Sequence, residues 1–277
     1  MKNYGQELFK GTAAYYSKYR PAYPAEIIRT IVRRFALDGR GRLLDLGCGT
    51  GQLTIRFADW FEQLVGLDPE QEMIDEALRF SKEMRLPHID WRNGHAESYL
   101  EQMNDDPYRV VLIAKAFHWM DREHVLDSLY PRIIPGGGVA IIDGYFPQQE
   151  PLPWQNEVQR IVTKWYGPKR KAGNTTYEHP KVGHQEIVAR SRFDLEVHRL
   201  PVYEHLWNIE SIIGNLYSTS FGSRRFLGDH ASLFEDELKD ALLSIDNSGI
   251  FSEEIQLSVI FAIKKEGYSD FMVEKSL

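Results

Sequence analysis

The chain has 277 residues, of which 43% are hydrophobic and 26% are charged, and its formal net charge is −7. This composition predicts a globular protein, and no apolar run approaches the roughly 18 residues that span a bilayer. The acidic charge disfavours a nucleic-acid partner, because phosphate backbones are bound by lysine and arginine clusters. The single cysteine, Cys48, excludes an internal disulfide. The N-terminus lacks the apolar segment of a secretion signal, so we expect a cytoplasmic protein.

The first half of the chain alternates helices with strands. Apolar residues recur at helical spacing in some segments and form short continuous runs in others. The predicted elements are, in order, a helix over 25–35, a turn and strand over 39–47, a helix over 52–61, a strand over 64–68, a helix over 71–84, strands over 88–92 and 108–116, a helix over 124–133 and a strand over 137–145. Strands that alternate with helices indicate a parallel sheet covered on both faces.

After Pro147 the pattern becomes mixed. Helices are predicted over 157–167, 209–221 and 234–245, an alternating stretch lies at 193–207, and the last strand is predicted over 255–266. The last strand and the alternating stretch can form an antiparallel pair that closes one edge of the sheet. The chain has no internal repeat and no clear linker, so the additional helices are interpreted as insertions in a single domain.

A glycine loop follows the first strand, in the sequence LLDLGCGTG at 43–51. Gly47, Gly49 and Gly51 allow a tight turn and let backbone N–H groups approach a ligand near the start of a helix. Such a loop suits a carboxylate or a phosphate. The dinucleotide pattern G-x-G-x-x-G is absent because residue 52 is glutamine, and no Gly-Lys-Ser/Thr follows as in a phosphate-binding loop.

An acidic residue, Asp68, ends the second predicted strand, seventeen residues after Gly51. A carboxylate at this edge of a parallel sheet can accept hydrogen bonds from the hydroxyls of a ribose. Taken separately, the loop can be a simple connection and Asp68 can cap the helix that begins at Pro69. Together, in register on one β-α-β unit, the two features favour a bound nucleoside.

On these residues the chain resembles the class I S-adenosylmethionine-dependent methyltransferases. Their first motif is similar to LLDLGCGTGQLT, and their second strand ends in an acid, as at Asp68. The resemblance covers roughly residues 10–145 and, more weakly, the last strand. It implies an α/β, Rossmann-like fold with a seven-stranded, mostly parallel sheet, helices on both faces, an antiparallel last strand and S-adenosyl-L-methionine as cofactor. A helical cap inserted in the C-terminal half is expected in addition.

The resemblance also implies how a single domain, 1–277, is divided. We expect an N-terminal lid and helix at 1–35, a cofactor-binding half at 36–145, a cap with substrate-binding insertions at 146–250, and the last strand and tail at 251–277.

The same resemblance implies a set of cofactor-binding residues. In the family, Asp45 and the backbone of Gly47 and Gly49 lie beside the methionine part of the cofactor, and the segment similar to GHAES (94–98) borders the adenine. His95 stands where many members carry an aspartate, so Ala96 is expected to contribute its backbone. Cys48 is interpreted as a packing residue. The expected contacts are Tyr16, Arg20, Asp45, Gly47, Cys48, Gly49, Gly51, Asp68, Pro69, Met73, His95, Ala96, Glu97, Ala114 and Phe117.

Two further segments resemble one subgroup of this family, which includes the trans-aconitate-type and many small-molecule methyltransferases. AKAFHWMD (114–121) is similar to its A-x-H-W-x-D signature, and YYSKYRPAYP (15–24) is similar to its leader Y-x-x-x-R-P-x-Y-P. In the subgroup this leader closes over the cofactor. Arg20 is then available to the carboxylate of the cofactor, and the face of an aromatic ring such as Tyr16 attracts a sulfonium cation.

Methyl transfer requires mainly that the reactants be positioned, and an oxygen or nitrogen acceptor also has to lose a proton. His118 follows the fourth strand and is the candidate base. Alternatively, His118 and Trp119 pack the strand end, and Asp121 is the N-cap of the next helix. A metal site of His118, Asp121 and His124 is not predicted, because this spacing is common by chance.

The acceptor has to be bound by residues 145–250. Their aromatic residues can line an apolar pocket or fill a core, and Arg224 and Arg225 can receive an acidic substrate or lie in solvent. The aromatic residues are Trp154, Trp165, Tyr166, Tyr177, Tyr203, Trp207, Tyr217 and Phe221.

The favoured function is methylation of a small organic acceptor on oxygen or nitrogen, with no nucleic-acid or membrane partner and an undetermined oligomeric state. A base-amine methyltransferase is disfavoured, because no Asn/Asp-Pro-Pro-Tyr/Phe run follows the fourth strand. Two alternatives stay open. One is a protein of this fold that binds the cofactor without catalysis. The other is aminopropyl transfer, which requires a cluster of acids where Lys115 and His118 stand.

Overall fold

The computed structural model describes residues 7–103, 106–144, 150–173, 175–177 and 180–266, and its centre is a seven-stranded sheet. The strands are, in chain order, β1 (Arg42–Leu46), β2 (Gln63–Asp68), β3 (Ile89–Asn93), β4 (Tyr108–Ala114), β5 (Ile133–Asp143), β6 (Lys171–Ala172), β7 (Thr175–Thr176), β8 (Asp194–Arg199), β9 (Tyr203–Asn208), β10 (Ile250–Ile255) and β11 (Ser258–Ile263). The sheet has the order β3-β2-β1-β4-β5-β11-β8. Within this sheet β11 runs opposite to the other six strands, so its pairs with β5 and β8 are antiparallel and the other pairs are parallel. This confirms the predicted fold class.

Helices surround the sheet and form the cap. They are α1 (Ala13–Tyr19), α2 (Ala25–Arg34), α3 (Gln71–Glu83), α4 (Ala96–Gln102), α5 (Arg122–Leu129), α6 (Pro153–Tyr166), α7 (His184–Arg190), α8 (Ile209–Tyr217) and α9 (Ala231–Ile245). Among the described residues, no helix is both long and apolar enough to cross a membrane.

The central strand β4 explains why the sheet is covered on both faces. Its side chains alternate between two cores, with Val111 and Ile113 in one and Val110 and Leu112 in the other. This is the period of two expected for a strand. Because both faces are buried, the strand is apolar without interruption, which is why it was predictable.

The sequence pattern misplaced several element boundaries. The helix predicted over 52–61 is a 3-10 helix at Thr54–Trp60. The strand predicted over 108–116 ends at Ala114, because Lys115 has a φ of +51°. The strand predicted over 137–145 begins at Ile133, and residue 145 lies outside the described residues.

Three helices, α1, α4 and α7, were not predicted, and other helix ends differ from the predictions. The helix predicted over 124–133 is α5 followed by a 3-10 turn that contains Pro131. The helices predicted over 157–167 and 234–245 begin earlier, as α6 and α9, and the one predicted over 209–221 ends earlier, as α8.

The alternating stretch 193–207 forms two strands rather than one. β8 pairs antiparallel with β11 at the edge of the sheet, as expected, whereas β9 pairs with β10 in a separate ribbon. The predicted last strand, 255–266, contains the whole of β11 and only the final residue of β10, Ile255. The sheet and the cap interleave along the chain: β8 lies within 146–250 but belongs to the sheet, and all of β10 except Ile250 lies within 251–277 but pairs in the cap.

The cap has a hydrophobic core of its own. Helices α6, α8 and α9 and the ribbon β9–β10 contribute buried side chains that pack together, among them Val162, Trp207, Leu216, Phe234 and Phe251. This cluster is distinct from the two clusters on the faces of the sheet. The cap is thus held mainly by its own contacts, and it lies beside the carboxyl ends of β4 and β5.

Candidate active site

The glycine loop turns back over the end of β2. The backbone N–H groups of Gly47 and Cys48 both donate to the carbonyl oxygen of Leu67, at 2.8 and 3.0 Å. Gly47 has a φ of +73°, and a Cβ there would lie 2.5 Å from the Cβ of Ala116. Gly49 has a φ of +55°, and its ideal Cβ position lies 3.5 Å from the ring of Tyr16. Both positions therefore favour glycine for conformation, and Gly47 requires it for space as well.

The third loop glycine, Gly51, is explained by packing rather than by a ligand. A Cβ at this position would lie 2.5 Å from the indole ring of Trp91, and the same ring lies against Gly66. Trp91 was not singled out in the sequence, because it lies on β3 and reaches these glycines across the sheet.

Two buried carboxylates lie next to this loop. Asp68, at the end of β2, accepts hydrogen bonds from the N–H groups of Gly49 and Glu70, at 2.9 and 3.0 Å. Asp45, on β1, is 1% exposed; its Oδ2 accepts from the hydroxyl of Thr54 at 2.6 Å, and its Oδ1 has no hydrogen-bond partner among the described residues. Burial raises the pKa of Asp45 to about 7 and that of Asp68 to about 6. A buried acceptor without a donor is unfavourable, so Asp45 is suited to an incoming cation or donor.

The leader covers the mouth of the loop. Helix α1 places the ring of Tyr16 against Gly49, and the guanidinium of Arg20 lies 5.0 Å from the centre of that ring. Arg20 also donates to the carbonyl oxygen of Ser218 at 3.3 Å, while its buried Nε has no hydrogen-bond partner in the described part of the chain. The leader thus presents a partly unsatisfied cation at the loop.

Two acids at the start of α3 hold the leader in place. Glu70 accepts a hydrogen bond from the backbone N–H of Phe9 at 2.9 Å, and Glu72 accepts one from that of Gly11 at 2.6 Å. The sequence analysis missed both residues. Their role depends on a contact between distant segments, and no local spacing indicates it.

These residues fit the amino-acid end of a nucleoside cofactor. Asp45 offers an unpaired carboxylate oxygen to an ammonium group, and Arg20 offers an unpaired N–H group to a carboxylate. The space left at Asp45 and the glycine loop is small, about 10 Å³, and Tyr16, Tyr23 and Ala114 are among the residues that line it. A ligand of nucleoside size therefore fits only if the leader moves outward.

The remaining expected contacts are distributed more widely. Met73 and Ala96 are buried, whereas Pro69 and His95 are exposed. The carboxylate of Glu97 accepts a hydrogen bond from the backbone N–H of Asp121 at 2.8 Å. That contact joins the start of α4 to the start of α5, so it supplies a structural reason for this acid.

Two of the expected contacts have apolar surroundings. Phe117 is 1% exposed and packs in a core of the sheet, with its ring centre 5.1 Å from that of His184. Cys48 lies near Gly66, and burial raises the pKa of its thiol well above the usual value. An elevated pKa disfavours a thiolate, in agreement with the interpretation of Cys48 as a packing residue.

A larger cavity, of about 740 Å³, lies beside the loop at the ends of β4 and β5. Tyr16 lines both this cavity and the small one, and Arg20 lines the larger cavity. His118 lines the cavity, and its ring centre lies 4.7 Å from that of Trp119 and 5.9 Å from that of Tyr177.

The helix after this segment is capped as the alternative interpretation expected. The side chain of Asp121 accepts a hydrogen bond from the backbone N–H of His124 at 3.3 Å, at the N-cap of α5. The position of His118 in the cavity wall and the capping role of Asp121 are therefore compatible.

The cavity contains a pair of residues that the sequence analysis missed. His184 Nε2 lies 3.2 Å from Asp143 Oδ2, and Arg122 lies 3.1 Å from His184 Nδ1. Because arginine only donates hydrogen bonds, Nδ1 accepts, and the ring proton on Nε2 is donated to Asp143. Burial acts to raise the pKa of Asp143, but hydrogen bonds, first from His184 and also from the backbone N–H of Gly144, contribute to a lowered pKa overall. The contact between Asp143 and His184 was not predicted, because His184 begins α7, a helix that was not predicted either.

The aromatic residues of the C-terminal half divide between cavity and core. Tyr177 and Phe221 line the larger cavity, and Trp154 and Trp207 line an adjoining one of about 500 Å³ that also includes Phe221. The others have different contacts: Trp165 and Tyr166 pack against Phe234, Tyr217 donates to Glu235, and Tyr203 packs at a core of the sheet.

The two arginines considered for an acidic substrate form ion pairs elsewhere. Arg224 lies 3.2 Å from Glu235, and Arg225 lies 3.8 Å from Glu7. Neither side chain is among those that line the larger cavity.

Known proteins share sequence similarity with part of this chain. An uncharacterized methyltransferase-like protein of Schizosaccharomyces pombe is 28% identical over 158 residues, 57% of this chain and 58% of that protein. An uncharacterized methyltransferase of Mycobacterium tuberculosis is 32% identical over 162 residues, 58% of this chain and 61% of that protein. A probable S-adenosylmethionine-dependent methyltransferase of Saccharomyces cerevisiae is 30% identical over 118 residues, 42% of this chain and 40% of that protein. The chain thus spans less than two thirds of these relatives.

The family match covers the loop and the strands around it. Residues 43–137 match the family described as "Methyltransferase domain". Over these residues the chain is similar to methyltransferases, including S-adenosylmethionine-dependent ones. The matched residues include Asp45, the three loop glycines and Asp68, whereas the leader, the cap and Asp143 lie outside the match.

Solved structures share the fold of the methyltransferase domain. The YcgJ protein of Bacillus subtilis covers 88% of this chain and 100% of its own, with a TM-score of 0.56 and 17% identity. The [4+2]-cyclase SpnF covers 90% of this chain and 85% of its own, with a TM-score of 0.50 and 15% identity. At these identities the likeness establishes the architecture alone.

Proposed function

We propose that this chain transfers the methyl group of S-adenosylmethionine to an oxygen or nitrogen atom of a small organic acceptor. The observation that carries the proposal is the shared wall of the two cavities. Tyr16 lines both the small cavity at the glycine loop and a cavity of about 740 Å³, and Arg20 lines the larger cavity beside it. That volume falls in the usual range for small-molecule sites.

The residues of the chain mainly position the two reactants. Asp45 would bind the ammonium group of the cofactor, Arg20 its carboxylate and Asp68 its ribose hydroxyls, while the ring of Tyr16 offers its face to a cation. When bound, S-adenosylmethionine supplies a methyl group on a positively charged sulfur. The closed leader excludes water, and this favours a reaction in which charge disappears from the leaving group.

The larger cavity indicates the kind of acceptor. Trp119, Tyr177 and Phe221 give it an aromatic wall, and His118 also lines it. Its size and its enclosure by the cap suit a metabolite of the kind expected for the A-x-H-W-x-D subgroup. The proposal therefore names a small molecule rather than a macromolecule.

Two alternatives share the fold. The structural likeness to a cyclase illustrates that this architecture also supports other reactions, so the fold does not by itself imply methyl transfer. Aminopropyl transfer would require acids to bind a polyamine, and the cavity instead places Lys115 and His118 after β4. A carboxylate, Asp45, and a guanidinium, Arg20, each with an unpartnered buried atom among the described residues, favour a cofactor with an amino-acid end.

The test combines cofactor binding with a search for product. Calorimetry is expected to show binding of S-adenosylmethionine and S-adenosylhomocysteine, and incubation of the protein with methyl-labelled cofactor and a metabolite extract is expected to yield one labelled small molecule. Asp68→Ala is expected to weaken binding roughly 10-fold or more, because charge-assisted hydrogen bonds are lost, whereas the exposed Asp75→Ala is a neutral control. Binding without any labelled product would contradict transfer, and equal binding by Asp68→Ala would contradict the assignment of the ribose site.

A further inference from the structure

Lys115 lies at the point where β4 meets the two cavities. Its φ of +51° is unfavourable for a residue with a Cβ, and such conformations concentrate at functional sites. The backbone N–H of Lys115 donates to the carbonyl oxygen of Ile142 at 2.8 Å, which fixes it beside the end of β5. The next residue, Ala116, packs against Gly47. Lys115 therefore directly precedes the residue that packs against the glycine loop, and its side chain lines the acceptor cavity.

The side chain of Lys115 has mixed charges around it but no ion pair. It is accessible from the cavity, and its Nζ lies 6.0 Å from the centre of the Tyr23 ring. Arg20 of the leader acts against its charge, and Asp143 of β5 and Glu253 of β10 act in its favour. Within the described ranges, no carboxylate oxygen lies close enough to Nζ to form a salt bridge. Partial loss of hydration against the cavity wall, with the charge of Arg20, lowers the pKa of this exposed side chain to about 8.

We propose that Lys115 is the proton acceptor of the methyl transfer. The inference rests on the proposed function. The acceptor loses its O–H or N–H proton to the lone pair of Nζ, and its electron pair forms the new bond to the methyl carbon. The bond between that carbon and sulfur breaks, and its electron pair remains on sulfur. The products are the methylated acceptor, a neutral thioether and a Lys115 ammonium, so atoms and charges balance.

Charge conservation in the site supports this role. Before the reaction the positive charge is on sulfur, and after it the charge is on Nζ, so the enclosed site holds one such charge at both stages. In surroundings of low polarity, creating an additional charge is costly, and this exchange avoids it. A cationic cofactor beside Lys115 also favours the neutral amine, which is the form that accepts a proton.

The other titratable groups of the cavity are less suited to this role. The lowered pKa of Asp143 makes its carboxylate a weak base, and His184, which donates to it, has its second nitrogen directed at Arg122. His118 packs against Trp119 and forms part of the wall. Lys115 thus combines proximity to the loop with a basic nitrogen.

The first test measures the protonation of Lys115 directly, without an acceptor. In the full chain labelled with 13C-lysine, the Cε signal of Lys115 is assigned by its loss in Lys115→Arg and titrated by NMR. The midpoint is expected near pH 8 in the free protein, lower with S-adenosylmethionine and higher again with neutral S-adenosylhomocysteine. The proposal would be overturned if the titration midpoint of Lys115 were the same with S-adenosylmethionine as with S-adenosylhomocysteine. It would also be overturned if the amine stayed protonated at about pH 10 in the S-adenosylmethionine complex.

The second test uses the labelled product of the wild-type reaction. Lys115→Met and Lys115→Arg are each expected to lower the rate roughly 10²–10⁴-fold, since neither supplies a neutral amine, while binding of S-adenosylmethionine persists. Lys82→Met, on the exposed surface of α3, is the control. Activity retained by Lys115→Arg would show that a cation suffices and would overturn the role of base. Failure of the proposed function is distinguishable, because the wild-type protein would then form no product.

Discussion

Replacing Asp45 by asparagine is expected to stabilise the protein without cofactor and to weaken cofactor binding. Burial raises the pKa of Asp45 from 3.8 to about 7. The folded state therefore binds this proton more tightly than the unfolded chain does, and the free energy of unfolding falls as pH rises between these two values. At 1.4 kcal/mol per pKa unit, the penalty reaches about 4 kcal/mol at neutral pH and above.

Asparagine removes this penalty but adds a smaller one. Its carbonyl oxygen can still accept the hydrogen bond from Thr54, whereas its amide N–H groups would lie at Oδ1, for which no partner exists among the described residues. A buried donor without an acceptor costs about 1–3 kcal/mol. The net expectation at about pH 8 is a gain of roughly 1–3 kcal/mol, which raises the unfolding temperature of a chain of this size by several degrees.

Urea unfolding at about pH 8 and about pH 3 measures the effect. The advantage of Asp45→Asn should be present at the higher pH and largely lost at the lower, where aspartate is mostly protonated in both the folded and the unfolded state. Calorimetry should show affinity for S-adenosylmethionine lower by roughly 10- to 100-fold, the value of one charge-assisted hydrogen bond. Asp59→Asn, on the exposed surface, should change neither quantity. If Asp45→Asn is less stable than the wild-type protein at pH 8 and binds equally well, the description of Asp45 as an unsatisfied carboxylate is wrong.

Three further substitutions test the loop and the leader. Gly228→Ala has open space and a φ of +53°, so it should cost about 1 kcal/mol in urea unfolding. Gly47→Ala also meets Ala116 and should cost roughly 1–3 kcal/mol more, and equal losses would contradict the packing. Arg20→Gln should weaken S-adenosylmethionine and S-adenosylhomocysteine about equally in calorimetry, since both carry the carboxylate, and a selective loss of one would refute the contact. Glu72→Ala should speed tryptic cleavage of the leader, because Gly11 loses its hydrogen-bond acceptor, and unchanged cleavage would show that this contact does not hold the leader.

The sequence predicted the sheet because its strands are local signals. The strands β1, β2 and β4 are short apolar runs buried on both faces, and such runs are visible without knowledge of the rest of the fold. Boundaries failed where a backbone conformation or a tertiary partner decides them. Lys115 follows an apolar run on β4, but its left-handed φ ends the strand before it. The stretch 193–207 is divided because its two parts pair with different strands, β11 and β10.

The same distinction explains which site residues could be predicted. The cofactor loop and Asp68 belong to one β-α-β unit, so their spacing carries the information. Asp143 and His184 come from distant segments, and each alone has an ordinary structural explanation. Gly51 is the opposite case. It belongs to the loop motif, yet beside its φ of +74° the residue that requires glycine there is Trp91, on β3.

The separate core of the cap explains why the cofactor site is more recognisable than the acceptor site. Trp207 and Phe234 pack within the cap, whereas the loop rests on the cores of the sheet. Substitutions that reshape the cap can therefore change the acceptor cavity without disturbing Asp45 or Asp68, since clusters without shared contacts respond almost independently. Only the end of β4 and β5 is common to both, and it carries Lys115 and Asp143. Residues that take part in the transfer itself are accordingly expected at these strand ends, and residues that select the acceptor are expected in the cap.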